Sequence, residues 1–451
     1  MGRRMSFVEE SGDAGAAAGG SHAGSLMRSR SNLDCDVCII GGSLAGLLLA
    51  LKLALRGRDV VVLEPDVLSP RAGQPAAPIG NMLLRPGLGL SADQLCTRAD
   101  RARARTLYDL SDTAFRSAVR LMDVLHVPQT GSGLLFVPGP RGKVDLLDEA
   151  AARDELGLSE LTRLGRSAVS ERLGTEAYAG ALFDPEVMQF AAGKVPGALE
   201  KAARAAGVRI LDHTTVFSAD LDGIRKYLET PAHRVRADHV AFCADTGLEA
   251  IAPWLAQAVG REYRVTGALL PPFAGPPASE PVIEGGARGV RFMWSGTQLE
   301  FCAPTASHVR GTRAAGGVLR RNARRVYPAL RRAKVAQPQG VSVARALHGL
   351  PLIGSVRPGV WYAVALGEEP MVCASLAADL ISSAVTDRDD RIAAFAPFGL
   401  APWHGAAGRF ARFVQYWAGR WTDAAERREA RVEEGDPLPP EHAKSPAQSG
   451  R

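Results

Sequence analysis

The stretch DVCIIGGSLAGLLLALKLALRGRDVVVLE, Asp36 to Glu64, constrains this chain more than any other. Val37 to Ile40 is an unbroken apolar run, as a parallel strand covered on both faces requires. Gly41, Gly42 and Ser43 follow as a tight turn. Gly46 comes one helical turn later, where a missing side chain lets a helix lie close against the strand. Leu44 to Leu55 is apolar nearly all round and predicts a buried helix, with Gly57 just past its end as a C-cap. Val60 to Leu63 predicts a second strand, and Glu64 ends it 18 residues after Gly46. An acid at that point can hydrogen-bond the hydroxyls of an adenosine ribose. The helix start offers free N–H groups and a positive dipole end to a pyrophosphate. Ser43 stands where a G-x-G-x-x-G turn has its second glycine, and its small side chain is tolerable there. Gly41, Gly42, Ser43, Gly46 and Glu64 are therefore candidate nucleotide contacts. The competing readings are an ordinary βαβ unit and a membrane span over Cys38 to Leu55. The span is barely long enough to cross a bilayer and contains Lys52.

The totals fit a large globular chain. Its 451 residues exceed one ordinary domain, and the hydrophobic and charged fractions, 46% and 23%, are ordinary for a soluble protein. A net charge of +6 is mild at this length and does not argue for nucleic acid. Arg3 and Arg4 suggest a twin-arginine start, but no apolar segment follows; Gly2 with Ser6 is a loose myristoylation pattern. Of the six cysteines only Cys35 and Cys38 are close in sequence. Three apart on a strand, they lie roughly 10 Å from each other on opposite faces, too far for a disulfide. This usage points to a reducing, cytoplasmic compartment.

Residues 1–33 are rich in Gly, Ala, Ser and Arg without apolar period, and are expected to be a disordered tail. Residues 65–92 carry too many Pro and Gly for regular structure and predict a long loop beside the nucleotide crevice. Ala104 to Leu125 is amphipathic with a helical period, and residues 143–177 are helical and charged. Gly131 to Pro138, Ala179 to Phe183 and several runs within 258–305 read as strands of an antiparallel sheet. Val195 to Ala206 predicts a helix, and Val208, Ile210 and Val216 strand positions after it. Residues 317–334 predict a basic helix whose arginines are read as a solvated face in preference to a phosphate or RNA surface. Val360 to Leu366 predicts a strand and Val372 to Val385 a helix. Phe410, Phe413, Val414, Trp417 and Trp421 form an aromatic helical stripe. It is read as docking on the protein's own surface, with a membrane or protein contact by residues 409–421 as the alternative. Residues 435–451 are expected to be disordered.

With these segments placed, the chain resembles the FAD-dependent oxidoreductases of the D-amino-acid oxidase type, and among them most closely the gamma-glutamylputrescine oxidase branch. The motifs that carry the resemblance are the Asp36–Glu64 unit; GALFDPEVMQFAAGKVPGALEKAARAAGVRI with TTV after it; VAFCADTGLEAIAPWL (Val240 to Leu255); GLPLIG (Gly349 to Gly354); and FAPFGLAPW with the aromatic helix. The resemblance implies an α/β chain, α+β overall. In it a doubly wound, Rossmann-like FAD domain (34–92, 190–250 and 340–390) is interleaved with an antiparallel-sheet substrate domain (93–189 and 251–339), followed by a helical extension (391–434). It also implies cofactor contacts at Val216, Ala244, Gly354 and Gly367, and at Gly73 and Gly80 in GQPAAPIGN. FAD is expected to be non-covalent, since no clear attachment site is visible.

The implied activity is removal of a hydride from the carbon beside an amine, with a small-molecule amine or amino acid as substrate. The flavin performs the chemistry, so the lack of a Ser-His-Asp or Cys-His set is unsurprising, and the nine dispersed histidines show no metal-ligand spacing. The chain departs from the family at ALGEEPM, where Glu368, Glu369 and Pro370 stand in place of a Gly- and His-rich flavin loop. Glu368 and Glu369 are expected to be pocket acids that hold an ammonium group and assist its deprotonation, with a solvated loop turn as the alternative; the departure implies either a different, cationic substrate or altered flavin binding. Arg345 is expected either to bind a carboxylate as a fork or to form a structural salt bridge, and His348 to sit at the flavin edge or the surface. The alternatives are a flavoprotein-like non-enzyme with a degenerate flavin loop, an oxidase domain acting on modified tRNA, and a flavin monooxygenase. Oligomeric state is left open.

Overall fold

The computed structural model describes residues 31–66, 81–139, 146–273, 275–276, 280–285 and 289–404, without the side chain of Leu147. Expectations for residues 1–30, Gly73, Gly80, the 409–421 helix and the 435–451 tail lie outside them. The chain opens with β1 (Ser31–Ile40), α1 (Leu44–Leu55), β2 (Val60–Leu63), β3 (Asn81–Leu84), α2 (Ala92–Arg98), α3 (Arg101–Val124), β4 (Gln129–Val137), α4 (Leu146–Glu155), β5 (Thr162–Gly165), α5 (Arg166–Leu173) and β6 (Gly180–Ala191). Next come α6 (Val195–Ala205), β7 (Arg209–Leu211), β8 (Ser218–Asp220), β9 (Lys226–Glu229), β10 (His233–Phe242), α7 (Pro253–Ala256), β11 (Gly260–Leu270), β12 (Val282–Glu284), β13 (Arg291–Ser295) and β14 (Gln298–Thr305). It continues with α8 (Thr312–Val326), β15 (Lys334–Arg345), β16 (Leu352–Arg357), β17 (Val360–Val364) and α9 (Pro370–Asp387).

Two sheets result, as expected for the interleaved α/β arrangement. The first has the order β16-β17-β10-β1-β2-β7, with β9 and β8 added beside β10. β1 pairs in parallel with β2 on one side and β10 on the other. The chain therefore turns in opposite directions after β1 and after β10, and this reversal opens a crevice beyond the carboxyl ends of the two strands. The second sheet, β15-β11-β14-β13-β12-β4-β6-β3, is antiparallel apart from the β12–β4 pair. The two sheets meet where Arg345, at the end of β15, bridges to Leu366 just past β17.

The main core forms between α1 and α9. Leu47, Leu48, Leu49 and Leu53 are buried in one cluster with Met371, Val372, Ala374, Ala377 and Ile381. Lys52, the lone cation of α1, forms an ion pair with Asp379 of α9. Its position within an apolar helix thus belongs to helix packing. No helix among the described residues is long and apolar enough to cross a membrane. Cys35 and Cys38 are buried free thiols.

Four sequence expectations shift. Ser31, Asn32 and Leu33, placed in the tail, already pair with His233, Arg234 and Val235 of β10. The 65–92 stretch contains β3, whose Met82 and Leu84 are buried in the main core where β3 meets α9 and α3. Val216 lies in a turn between β7 and β8, outside any strand, although it is buried. The basic helix ends at Val326, because Pro328 lacks the N–H needed to continue it, and Lys334 already opens β15. Residues 340–345 consequently belong to the antiparallel sheet.

Gly46 sets the spacing of α1 on β1. A β-carbon there would lie 2.0 Å from the Gly41 carbonyl oxygen, so the helix would have to move. Gly197, exposed on α6, has nothing within 4 Å of the same added atom. Gly46→Ala should therefore cost about 1–3 kcal/mol of unfolding free energy, the range for overpacking. Gly197→Ala should be neutral or gain up to about 1 kcal/mol from helix propensity. Urea unfolding of both variants checks the pair, and equal effects would contradict the packing described.

Candidate functional site

The crevice is walled by backbone that approaches backbone. Gly41 adopts φ +101°, and a β-carbon on it would strike the Ala244 β-carbon at 2.7 Å. Ser43 caps α1: its Oγ accepts from the Gly46 N–H and donates to the Cys243 carbonyl at 2.6 Å, tying the ends of β1 and β10 together. Glu64 is held at the rim, its carboxylate accepting from the Gly42 N–H at 2.7 Å and the Asp66 N–H at 3.0 Å. Asp245 accepts from the Ala365 N–H at 2.7 Å. Ala365 itself has φ +55°, a left-handed conformation that costs a non-glycine residue roughly 1–2 kcal/mol. A cavity of about 270 Å³ runs from Ser43 and Leu44, past Cys243 and Asp245, to Gly367, Glu368 and Pro370.

That far end is the start of α9. Gly367, at φ +78°, leaves open space where a side chain would stand. Glu369 is the N-cap residue, yet its side chain does not cap the helix. The first N–H groups of α9, and the positive end of its dipole, are thereby left without their own carboxylate.

The two acids turn instead into a cluster of arginines. Glu369 meets Arg85 Nε at 2.8 Å and Arg291 Nη1 at 3.1 Å. Glu368 meets Arg291 Nε at 2.7 Å, Arg345 Nη2 at 3.7 Å and Arg264 Nε in close contact. Both glutamates are buried. Burial alone would push their carboxyls up. For Glu368 the guanidiniums of Arg291, Arg264 and Arg345 outweigh it; for Glu369 those of Arg85 and Arg291 do, and both acids sit below the ordinary carboxylate range. This corrects the expected role. Carboxylates saturated by guanidiniums are poor ammonium ligands and poor proton acceptors, and the loop is set for the opposite charge.

Beyond the cluster lies a larger cavity of about 760 Å³, walled by the second sheet and by α2. Glu368 lines both cavities. Arg85, Arg264, Arg291 and Arg345 line the larger one, joined by Arg98 and Arg261. Arg345, expected to be a carboxylate fork, is partly engaged by Glu262 at 3.0 Å. The acids of the far wall are spoken for. Glu284 accepts from the Tyr178 hydroxyl and from Arg325, each at 3.1 Å. Burial pushes the Glu149 carboxyl up to about 7, against a single bond from the Asp93 N–H.

The remaining expected contacts are dispersed. Gly354 faces the first sheet's own packing, where a β-carbon would lie 2.4 Å from the Tyr362 hydroxyl. His348 packs against Phe398, with ring centroids 5.6 Å apart and the planes tilted by 45°, and burial lowers its pKa. Arg85, Arg264 and Arg291 escaped the sequence reading. The only trace of them is a cation inside an apolar or strand-like run, as in RFMW.

The sequence profile of the family described as FAD dependent oxidoreductase matches residues 36–384. The chain is 20% identical over 380 residues to a probable oxidoreductase, OrdL, of Haemophilus influenzae, covering 80% of this chain and 85% of that one. It is similar in fold to a glycine oxidase from Geobacillus kaustophilus, with a TM-score of 0.66 and 21% identity over 83% of this chain and all of the other. An L-proline dehydrogenase from P. horikoshii gives a TM-score of 0.62 at 14% identity, covering 84% and 99%.

Glu149 supplies a pH test of the cavity wall. A carboxyl raised to about 7 binds more protons in the folded chain than in the unfolded one. Its contribution to stability is therefore intact below its ordinary range near 4 and is lost progressively as pH rises through 7. Glu149→Gln should stabilise the protein at pH 8 by on the order of 1–3 kcal/mol and leave it nearly unchanged at pH 4.5. Thermal unfolding across that range checks it; a gain independent of pH would contradict it.

Proposed function

The chain belongs to the FAD dependent oxidoreductase family, and on that premise we propose that it oxidises the carbon–nitrogen bond of a small amine or amino acid. One observation carries the reading: the narrow cavity that begins at α1 and the wide cavity against the second sheet share Glu368 at the start of α9. A cofactor stretched along the first would present its far end to whatever fills the second.

The residues present fit such a cofactor. Gly41 and Gly46 leave no room for side chains beneath it. The α1 start, with Ser43, is assigned to the pyrophosphate and Glu64 to the ribose, and Gly42, Val216 and Ala244 are proposed as further contacts of that half. Gly367 and the uncapped end of α9 are available to the ring, whose electron-rich edge a helix dipole stabilises. Bound there, FAD supplies the acceptor for the hydride leaving the carbon beside the nitrogen. The chain's own part is charge and position. A cavity lined by guanidiniums disfavours an ammonium ion, so a bound amine sheds its proton more readily there, as removal of that hydride requires. Arg264 Nη1 is buried without a hydrogen-bond partner among the described residues, and it offers a donor to a substrate carboxylate. Glu368 and Glu369 hold the arginines in place. The motifs shared with the gamma-glutamylputrescine oxidase branch support an amine nitrogen as the reacting group.

The test is anaerobic bleaching of the flavin absorbance by a panel of amines and amino acids. Amino acids should bleach it, about tenfold or more faster than the amine of the same length lacking the carboxylate. A protein that binds FAD and is bleached by none, or that stays colourless after FAD is added, would overturn the proposal.

A further inference from the structure

The larger cavity carries more positive charge than one carboxylate would use. The inner four arginines of its lining, Arg85, Arg264, Arg291 and Arg345, face Glu262 and Glu368 of the same lining and Glu369, which lies outside it. One guanidinium is left over, and Arg264 Nη1 lacks a bond. Arg98 and Arg261 are placed differently. Arg98 donates from Nε to the His348 carbonyl at 2.8 Å and from Nη1 to the Gln94 carbonyl at 2.7 Å. Arg261 donates to Ser342 Oγ at 3.2 Å and to the Asp245 carbonyl at 3.3 Å. Both are thus oriented by neutral oxygens, and neither has a carboxylate within ion-pair distance among the described residues. Partial burial and the neighbouring Arg345 guanidinium lower the Arg98 pKa, with Asp93 opposing them, while Arg98 and Arg261 both keep solvent-exposed surface. Guanidiniums gathered along one cavity favour an anion that binds among them. Of the nearby acids, Glu284 is engaged by Arg325 and Glu149 titrates near neutrality, while Asp93 acts on Arg98 and Asp245 on Arg261 without either reaching ion-pair distance.

We infer that the substrate carries two acid groups about its amine, one taken by Arg264 and the inner cluster and the second by Arg98 and Arg261. The inference rests on the wide cavity being the substrate site and names the class of molecule it admits: amino or imino diacids, whether dicarboxylates or carboxylates bearing a phosphonate. Arg98 and Arg261 are then specificity-determining residues. An isolated amine, or a cation with one carboxylate, leaves them unpaired.

The experiment is calorimetric titration of the FAD-loaded protein with unreactive acids: glutarate, 3-phosphonopropionate and butyrate, the last as the single-acid reference. Glutarate or 3-phosphonopropionate should bind about tenfold or more tighter than butyrate, and which of the two leads identifies the second acid group. Arg98→Gln and Arg261→Gln should each erase most of that advantage and leave butyrate affinity unchanged. Equal affinities for all three acids, or an advantage that survives both substitutions, would overturn the inference. Bleaching by amino monoacids and amino diacids at equal rates would refute it while leaving the amine-oxidation proposal standing. Tight diacid binding with no bleaching by any amine would do the reverse.

Discussion

Two carboxylates buried among four guanidiniums hold the two sheets at one spacing. Glu368 and Glu369 come from the α9 side. Arg264 comes from β11, Arg291 from β13, Arg345 from the end of β15, and Arg85 from the residue after β3. Removing one member of such a cluster leaves a buried charge unpaired, at a cost of about 3–5 kcal/mol, although replacing the whole by apolar side chains need cost nothing. Stability alone therefore does not explain its presence. The cluster instead joins the halves at the point where the two cavities meet, with polar surface that apolar packing could not provide.

Where structure depends on neighbours in sequence, the chain was legible. The β1-α1-β2 unit follows from an apolar run, three small residues, Gly46 and an acid, and it lies where those residues placed it. The acids at 368 and 369 stood out as foreign to a flavin loop, but their role was read with the wrong sign. Their partners lie in strands far away in the chain, and residue type carries no address. β15 was missed for a different reason. The basic helix was carried to residue 334, over the start of this strand, and the ladder with β11 absorbs Pro338 at an irregularity between Thr266 and Ala268, beside Gln337 at φ +47°.

The same contrast separates the two halves of the site. The nucleotide end is built from backbone, and glycines and small residues announce it. The arginine-lined cavity is built from long side chains that converge from β11, β13, β15 and α2, and only the folded chain shows that they converge. Its arginines balance the two acids, and the start of α9 is left without a capping carboxylate. A loop that looked decayed becomes a support for the pocket.

A crystal structure of the protein with FAD bound measures the central claim most directly. The pyrophosphate should lie at the first turn of α1 with the ribose within hydrogen-bond reach of Glu64. The ring should lie at Gly367, with the Glu368–Arg291 pair intact at its edge. A flavin located elsewhere, or a ring that enters only by expelling Glu368 and Glu369 from their arginines, would contradict the account.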